Sequence, residues 1–122
     1  MKISLQNKKA LIGGSSKGLG FAVAEQLALS GAQVTIVSSN ERLLKERVLA
    51  LNKKTALKHN FLVCDYNDHE SYAKKISEYF DVNTIDILVN NTQGPIAGDV
   101  NSVSINDYQN AFDLLFKNIV LT

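Results

Sequence analysis

Three glycines within seven positions follow the first apolar run of the chain. They are Gly14, Gly18 and Gly20 of the stretch GGSSKGLG, which stands between the apolar residues 9–13 and a helical pattern over residues 19–30. A loop between a strand and a helix aims backbone N–H groups and the positive end of the helix dipole at one point, which favours a bound phosphate. Gly14 would form the tight turn, Gly18 would allow close approach to the ligand, and Gly20 would pack the helix on the strand. On the glycines alone, the alternative is a tight turn that holds no ligand.

The rest of the chain alternates strand-like apolar runs with helical patterns. Strands are predicted over residues 9–13, 33–37, 57–63 and 85–89. Helices are predicted over residues 19–30 and 105–121, and after the capping residues Asn40 and Asp68. Strands that are apolar throughout, rather than at alternate positions, are typical of a parallel sheet covered on both faces. We therefore expect a doubly wound, Rossmann-type α/β fold, incomplete, with about four strands and four helices.

Composition excludes several classes of protein. The 122 residues suit one small domain, and a net charge of +1 with scattered Lys and Arg provides neither a patch for nucleic acid nor a basic arm for a membrane surface. No apolar run approaches the ~20 residues of a membrane span, and the Asn-Lys-Lys at residues 7–9 interrupts any signal peptide. The single cysteine, Cys64, and the histidines His59 and His69 lack metal-ligand spacing. We expect a cytoplasmic protein without a metal site.

The glycine stretch resembles the T-G-x-x-x-G-x-G motif of the short-chain dehydrogenase/reductase family, with Gly13 where the family usually has threonine. Three further stretches are similar to landmarks of that family, in the same order. The stretch CDY, residues 64–66, resembles the end of the third strand, where an aspartate binds the adenine ring. ILVNNTQ, residues 87–93, resembles the N-N-A-G motif that lines the cofactor pocket, and NDYQNAFDLLF, residues 106–116, resembles the helix after it.

This resemblance implies an oxidoreductase that reversibly reduces a carbonyl to an alcohol, with 3-oxoacyl-thioester reductases as the nearest type. Catalysis in the family needs a serine and a Tyr-x-x-x-Lys pair, whose tyrosine gives or takes the proton. None of the four tyrosines here has lysine four positions on, so no catalytic residue is assigned. Residues 1–122 are expected to be the dinucleotide-binding half of such a domain, truncated before the catalytic segment and inactive alone. The alternatives are a non-catalytic NADP(H)-binding module and a remnant of an interrupted gene.

The end of the second predicted strand indicates which nicotinamide cofactor is favoured. NAD sites usually place an acidic residue there, on the ribose 2′-hydroxyl, whereas this chain has Ser38, Ser39 and Asn40. Lys17 adds a cation in the glycine loop, and a charge-assisted contact to a 2′-phosphate is worth about 1.5–3 kcal/mol. We expect NADP(H) rather than NAD(H); the alternative is that Lys17 is an ordinary solvated loop residue. The candidate cofactor-binding residues are Gly14, Ser16, Lys17, Gly18, Leu19, Gly20, Ser38, Asp65, Asn91 and Thr92.

Two positions depart from the family pattern. Gln93 stands where N-N-A-G has glycine, which would reshape the nicotinamide end of the site. Leu115 stands where the following helix has asparagine, and Asn118, three residues on, is either a substitute or a surface polar residue. The expected truncation would also leave the fourth strand without its next neighbour and expose an apolar edge. We therefore expect self-association through the fourth strand or the fourth helix, marginal stability, or a much altered arrangement of the residues after about Asn90.

The remaining candidates have structural interpretations. Tyr72, Tyr79 and Tyr108 are expected to face the core from helices. His59 is expected at the surface or in a cap, and Cys64 is expected to be a buried small apolar residue.

Overall fold

The computed structural model describes residues 3–92, 98–99, 101–117, 120 and 122. In chain order the strands and helices are β1 (Lys9–Ile12), α1 (Gly18–Leu29), β2 (Gln33–Ser38), α2 (Glu41–Lys54), β3 (Asn60–Val63), α3 (His69–Val82), β4 (Ile87–Val89) and α4 (Ile105–Phe112), which continues as a π-helical turn (Asp113–Lys117). The chain divides into two compact units. The first consists of residues 1–64 and 83–91 and contains β1 to β4 with α1 and α2; the second consists of residues 65–82 and 92–122 and contains α3 and α4.

The four strands of the first unit form one parallel sheet in the order β3-β2-β1-β4. Leu11 of β1 pairs with Thr35 of β2 on one side and with Leu88 of β4 on the other. From β1 the chain adds β2 and then β3 on one side of the sheet, whereas β4 is added on the other side of β1. The order in which strands are added therefore reverses between β1 and β4. In open α/β sheets such a reversal opens a crevice at the carboxyl ends of the strands, where ligands bind. The predicted doubly wound α/β fold with a Rossmann-type sheet is confirmed in the described part of the chain.

Apolar strands and two helical stripes form the core of the first unit. β1 and β2 are buried at successive positions rather than at alternate ones, as is typical of parallel sheets. Helix α1 packs on both of these strands and buries small residues, which allow a close approach. Helix α2 packs on β2 and β3 with larger ones. The buried residues recur every three or four positions, as one face of a helix requires: Gly20, Ala24 and Ala28 in α1, and Leu44, Val48 and Leu51 in α2.

The predicted helix boundaries are set by local hydrogen bonds. Asn40 Oδ1 accepts the backbone N–H of Leu43 at 3.1 Å and caps α2. Asp68 Oδ1 accepts the N–H of Ser71 at 3.1 Å at the start of α3. Gly31, with φ of 105°, follows the end of α1. The capping roles predicted for Asn40 and Asp68 are confirmed.

His59 differs from its predicted surface or capping position. Its ring is buried, with Nδ1 accepting the backbone N–H of Val34 at 3.1 Å and Nε2 lying 2.8 Å from Thr55 Oγ1. His59 thus links Thr55, the C-cap of α2, to β2, and β3 begins at Asn60 and not at the predicted residue 57. The prediction for His59 was wrong because its hydrogen-bond partner on β2 lies 25 residues away.

Strand β4 also begins later than the apolar pattern predicts, at Ile87 and not at residue 85. Asp86, just before it, is exposed as expected. Its N–H donates to the carbonyl of Lys9 at 2.8 Å, and its Oδ2 accepts the N–H of Lys9 at 2.9 Å. This reciprocal pair fixes the register between the starts of β1 and β4.

In the second unit, α3 buries Tyr72, as predicted, and also Ile76. Tyr66 is buried as well, and its ring lies 5.0 Å from that of Tyr72. The Tyr72 hydroxyl is hydrogen-bonded to Thr122 Oγ1. Tyr79 is only half-buried.

Helix α4 is more exposed than predicted. A reciprocal capping box between Ser104 and Asp107 begins the helix, and after Phe112 the predicted helix continues as the π-helical turn Asp113–Lys117. Residues 118, 119 and 121 lie outside the described residues. Tyr108 is 54% exposed, so its predicted core position is wrong. The physical reason is that the apolar stripe it shares with Ile105 and Phe112 has no cover among the described residues.

Candidate cofactor-binding site

The glycine loop joins β1 to α1 at the carboxyl end of β1, beside the reversal of strand order. Gly14 and Gly18 have φ of 53° and 61°, in the left-handed region that favours glycine. A Cβ placed on Gly18 would meet no described atom within 4 Å. The backbone therefore requires glycine at residue 18 and leaves open space beside it, at the first residue of α1.

The amino end of α1 is suited to an anion. In the described structure the first turn of α1 carries no acidic residue, and Lys17, at the N-cap, makes no side-chain hydrogen bond to it. The first N–H groups of a helix have no partner within the helix, and the helix dipole adds positive charge there. A phosphate beside Gly18 would accept hydrogen bonds from these groups. The residues present thus fit the pyrophosphate of a dinucleotide.

Gly20 allows α1 to lie against the loop. A Cβ at this position would be 2.2 Å from the carbonyl oxygen of Gly14 and 2.9 Å from Asn91 Nδ2. Asn91, just beyond β4, donates from Nδ2 to the carbonyls of Gly13 at 3.3 Å and Gly14 at 3.2 Å. The Gly13 N–H in turn donates to the carbonyl of Val89 at 3.0 Å. Asn91 and Gly20 therefore hold the loop from β4 and from α1.

Ser15 holds the same loop to β2, a role that sequence reasoning missed. It is fully buried; its N–H donates to the carbonyl of Val37 at 3.0 Å and its hydroxyl accepts the N–H of Val37 at 2.9 Å. The hydroxyl also donates to the carbonyl of Ile12 at 2.7 Å. Ser15 thus extends the bonding of β1 with β2 into the glycine loop, a role that only its tertiary partner reveals.

Arg47 is a second residue that sequence reasoning missed. It lies on α2, and its Nε donates to the carbonyl of Ser16 at 2.9 Å. Its guanidinium carbon lies 4.5 Å from the centroid of the Phe21 ring on α1. Ser16, predicted to bind cofactor, is buried and uses its carbonyl to hold this arginine.

Three further predicted residues of the first unit lie near this loop or at the end of β2. Lys17 is exposed and forms no ion pair within the described part of the chain. Leu19, in the first turn of α1, is 84% exposed, which is unusual for a large apolar side chain. Ser38 ends β2 half-buried, and its hydroxyl accepts the N–H of Asn40 at 3.3 Å, which leaves the hydroxyl proton available to a ligand.

Two predicted residues, Asp65 and Thr92, belong to the second unit. Asp65 is exposed, and its Oδ1 accepts the N–H of Asn67 at 2.9 Å in a local turn. Thr92 is half-buried. Leu115, in the π-helical turn, is 45% exposed, whereas Gln93 and Asn118 lie outside the described residues.

Other kinds of site receive no support from the part of the chain that the structure describes. Those residues contain no group of three or more His, Cys, Asp or Glu side chains arranged to hold a metal ion. Cys64 is fully buried, as predicted. None of the described helices is long and apolar enough to traverse a membrane.

Comparisons with known proteins agree with this geometry. A family model described as short chain dehydrogenase matches residues 8–122. The 3-oxoacyl-[acyl-carrier-protein] reductase FabG of Chlamydia muridarum is 34% identical over 92 residues, which are 75% of this chain and 37% of that protein. The 7alpha-hydroxysteroid dehydrogenase of Clostridium sardiniense is 31% identical over 116 residues, which are 94% of this chain and 44% of that protein.

A solved structure of a related enzyme is also similar to this chain. The L-sorbose reductase from Gluconobacter frateurii, complexed with NADPH and L-sorbose, is similar with a TM-score of 0.88 and 26% sequence identity. The match covers 99% of this chain and 46% of that chain. The chain therefore spans less than half the length of the relatives it matches. Because the family model covers almost the whole chain, the protein belongs to the short-chain dehydrogenase/reductase family.

Proposed function

We propose that the glycine loop binds the pyrophosphate of a nicotinamide dinucleotide, and that the chain is the cofactor-binding part of an NADP(H)-dependent oxidoreductase that interconverts carbonyls and alcohols. One observation carries the proposal: open space beside Gly18, at the amino end of α1 that no side chain caps within the described residues. The nicotinamide, when bound, supplies the hydride chemistry. The chain itself binds and orients the cofactor.

The candidate residues divide by role. The loop and the start of α1 would hold the phosphates through backbone N–H groups, while the exposed Leu19 would offer apolar contact. Asn91 would keep the loop in shape through its two hydrogen bonds to the loop carbonyls. Asp65 and Thr92 are proposed only from the family resemblance, for the adenine and the nicotinamide pocket. The full proposed set is Gly14, Ser16, Lys17, Gly18, Leu19, Gly20, Ser38, Asp65, Asn91 and Thr92.

The preference for NADP(H) over NAD(H) is supported by the end of β2. Ser38 retains a hydroxyl proton that a 2′-phosphate would accept, and no carboxylate occupies residues 38–40. The next acidic residue, Glu41, pairs with Lys45 at 3.2 Å on the exposed side of α2. Lys17 supplies a free cation in the glycine loop. The L-sorbose reductase structure, with its bound NADPH, is in keeping with this preference.

Activity is proposed for the family type and not for these residues alone. We propose that residues 1–122 form the dinucleotide-binding half of the domain, since the matched relatives are more than twice as long as the matched segment. None of the tyrosines is followed by lysine four positions on, so turnover by this chain alone is not expected. That same absence supports a second candidate, a non-catalytic NADP(H)-binding module. The chain has a single cysteine, Cys64, which is buried, and this suits the reducing cytoplasm that we propose for either.

Calorimetric titration of the chain with NADPH and NADH tests the proposal. We expect micromolar binding of NADPH that is abolished by Gly18→Asp, which places a carboxylate in the space beside α1. Gly31→Asp is the matched control, because it puts the same side chain on another glycine of positive φ beyond the other end of α1. A folded chain that binds neither nucleotide, or equal weakening by both variants, would contradict a phosphate site at Gly18.

A further inference from the structure

Arg47 is held against the glycine loop by two contacts from different directions. Its Nε–H donates to the Ser16 carbonyl at 2.9 Å, and its guanidinium carbon lies 4.5 Å from the centroid of the Phe21 ring. A guanidinium that is already held by a hydrogen bond at Nε and by an aromatic ring on one face loses little further conformational entropy when it binds a ligand. Its remaining N–H groups, on the two terminal nitrogens, stay in a fixed orientation.

The same contacts place Arg47 at the carboxyl end of β2. Ser15 exchanges two hydrogen bonds with Val37, so the loop runs alongside the last residues of β2. Ser16 is the next residue of the loop, and its carbonyl receives Arg47. Ser38, which ends β2, follows Val37 directly. In dinucleotide-binding folds this end of the second strand is where the adenosine ribose is recognised.

Arg47 also keeps its charge available. Among the described residues it forms no salt bridge; the two ion pairs there join Lys45 to Glu41 and Lys54 to Glu25. A guanidinium presents paired N–H donors in a planar fork that matches phosphate oxygens. A half-buried position strengthens such a contact relative to one in bulk water.

We infer that Arg47 is a specificity-determining residue for the adenosine 2′-phosphate of NADP(H), acting with Lys17. Arg47 reaches the ribose end from α2, across the loop, while Lys17 reaches it from the loop itself. The inference rests on the proposed dinucleotide site and adds a residue that distinguishes the two cofactors. A purely structural Arg47 would support the loop for NADPH and NADH equally, so the ratio of the two affinities separates the roles.

The experiment measures the dissociation constants of NADPH and NADH for the wild-type chain and for Arg47→Gln and Arg47→Lys. We expect Arg47→Gln to weaken NADPH about tenfold or more, the loss of one charge-assisted contact, and NADH less than about twofold. Arg47→Lys keeps the charge but not the fork, and is expected to fall between wild type and Arg47→Gln. Lys53→Gln is the matched control, because it removes an exposed cation from the last turn of the same helix.

The outcomes are distinct. A fall in NADPH affinity with NADH unchanged, absent from Lys53→Gln, supports the inference. Equal weakening of both nucleotides by Arg47→Gln overturns it and leaves the dinucleotide site intact, and so does no weakening of either. Failure of the wild-type chain to bind either nucleotide overturns the proposed function as well. Where Arg47→Gln does not fold, by thermal unfolding, the ratio for Arg47→Lys decides in the same way.

Discussion

The hydroxyl of Ser15 accepts the backbone N–H of Val37 at 2.9 Å, in a position with no solvent exposure. The Ser15 N–H donates in turn to the carbonyl of Val37, so the glycine loop stays bonded to β2 beyond Ile12 and Ile36, the last paired residues of β1 and β2. The shape of the phosphate loop is therefore set by the sheet as well as by its glycines.

Replacing Ser15 with alanine is expected to lower the free energy of unfolding by about 1–3 kcal/mol, because buried polar groups of Val37 and Ile12 lose a partner. Urea denaturation at neutral pH measures the change. Ser39→Ala, at an exposed serine just beyond β2, is the matched control and is expected to change stability by less than about 0.5 kcal/mol. Equal stabilities of the two variants would show that the Ser15 bonds contribute nothing net.

Gly20→Ala is expected to destabilise the chain by about 1–3 kcal/mol, although alanine favours helices, because its Cβ would lie 2.2 Å from the Gly14 carbonyl. The displaced loop is also expected to weaken NADPH binding. Thermal unfolding and titration measure the two effects. Ala22→Ser adds one atom at an exposed position of the same helix and is expected to do neither. A stabilised Gly20→Ala variant would contradict the close packing of α1 on the loop.

Asn91→Asp is expected to destabilise the loop more than Asn91→Ala does. The aspartate replaces a donor with a second oxygen that faces the carbonyls of Gly13 and Gly14, whereas alanine only removes the donor at a cost of about 1–2 kcal/mol. Hydrogen exchange of the loop amides and urea denaturation measure the difference. Asn90→Asp, at the exposed neighbour, makes the same chemical change without those partners. Equal losses of stability in Asn90→Asp and Asn91→Asp would show that the two Asn91 hydrogen bonds do not hold the loop.

Acid is expected to destabilise the first unit through His59. Thr55 Oγ1 donates to the carbonyl of Leu51, so it accepts from His59 Nε2–H, and His59 Nδ1 must stay unprotonated to accept from Val34. Burial lowers the pKa of His59 below its ordinary value of 6.5. The unfolded chain therefore binds the proton more readily, and stability falls as pH drops below about 6.5, by up to about 1.4 kcal/mol per pH unit.

Urea denaturation between pH 5 and pH 7.5 checks this dependence. His59→Gln is expected to flatten the slope, though it lowers stability at neutral pH. His69→Gln is the matched control, because it removes the other histidine of the chain but none of the His59 hydrogen bonds. Retention of the full slope in His59→Gln would assign the acid sensitivity to other groups.

Self-association is expected from two exposed apolar surfaces, one in each unit. β4 is an edge of the described sheet and Leu88 on it is 38% exposed, while Phe112 and Phe116 of the second unit stack 5.2 Å apart at 51% and 58% exposure. Sedimentation of the wild type should show dimers or larger species, reduced by Leu88→Lys or Phe116→Lys. Leu49→Lys, at an exposed position of α2, is the matched control. A wild-type chain that remains monomeric at high concentration would contradict this.

The sequence predicted the elements well because their signals are local. The buried stripe of α1, the caps at Asn40 and Asp68 and the glycine spacing all depend on residues within a few positions of each other. The errors arose where distant partners decide the structure. His59 turns inward because of Val34, and Tyr108 stays exposed because the described residues leave its helix face uncovered.

In the candidate site, too, local features could be predicted and features that depend on distant partners could not. Gly18 and Gly20 were identifiable from spacing, because the backbone conformation and the close approach each demand glycine. Ser15 and Arg47 were not, because an ordinary serine and a helical arginine acquire their roles only through contacts 22 and 31 residues away. No local pattern contains that information.

The bonds that hold the glycine loop also set the order in which the protein can mature during synthesis. Residues 13–16 are fastened by partners that emerge 22, 31 and 77 or 78 residues later. A nascent chain that has released only β1 and α1 from the ribosome lacks every one of these fastenings. The loop should become ordered only after Asn91 has left the exit tunnel, so nucleotide binding by ribosome-bound chains of increasing length would report when the first unit completes its assembly.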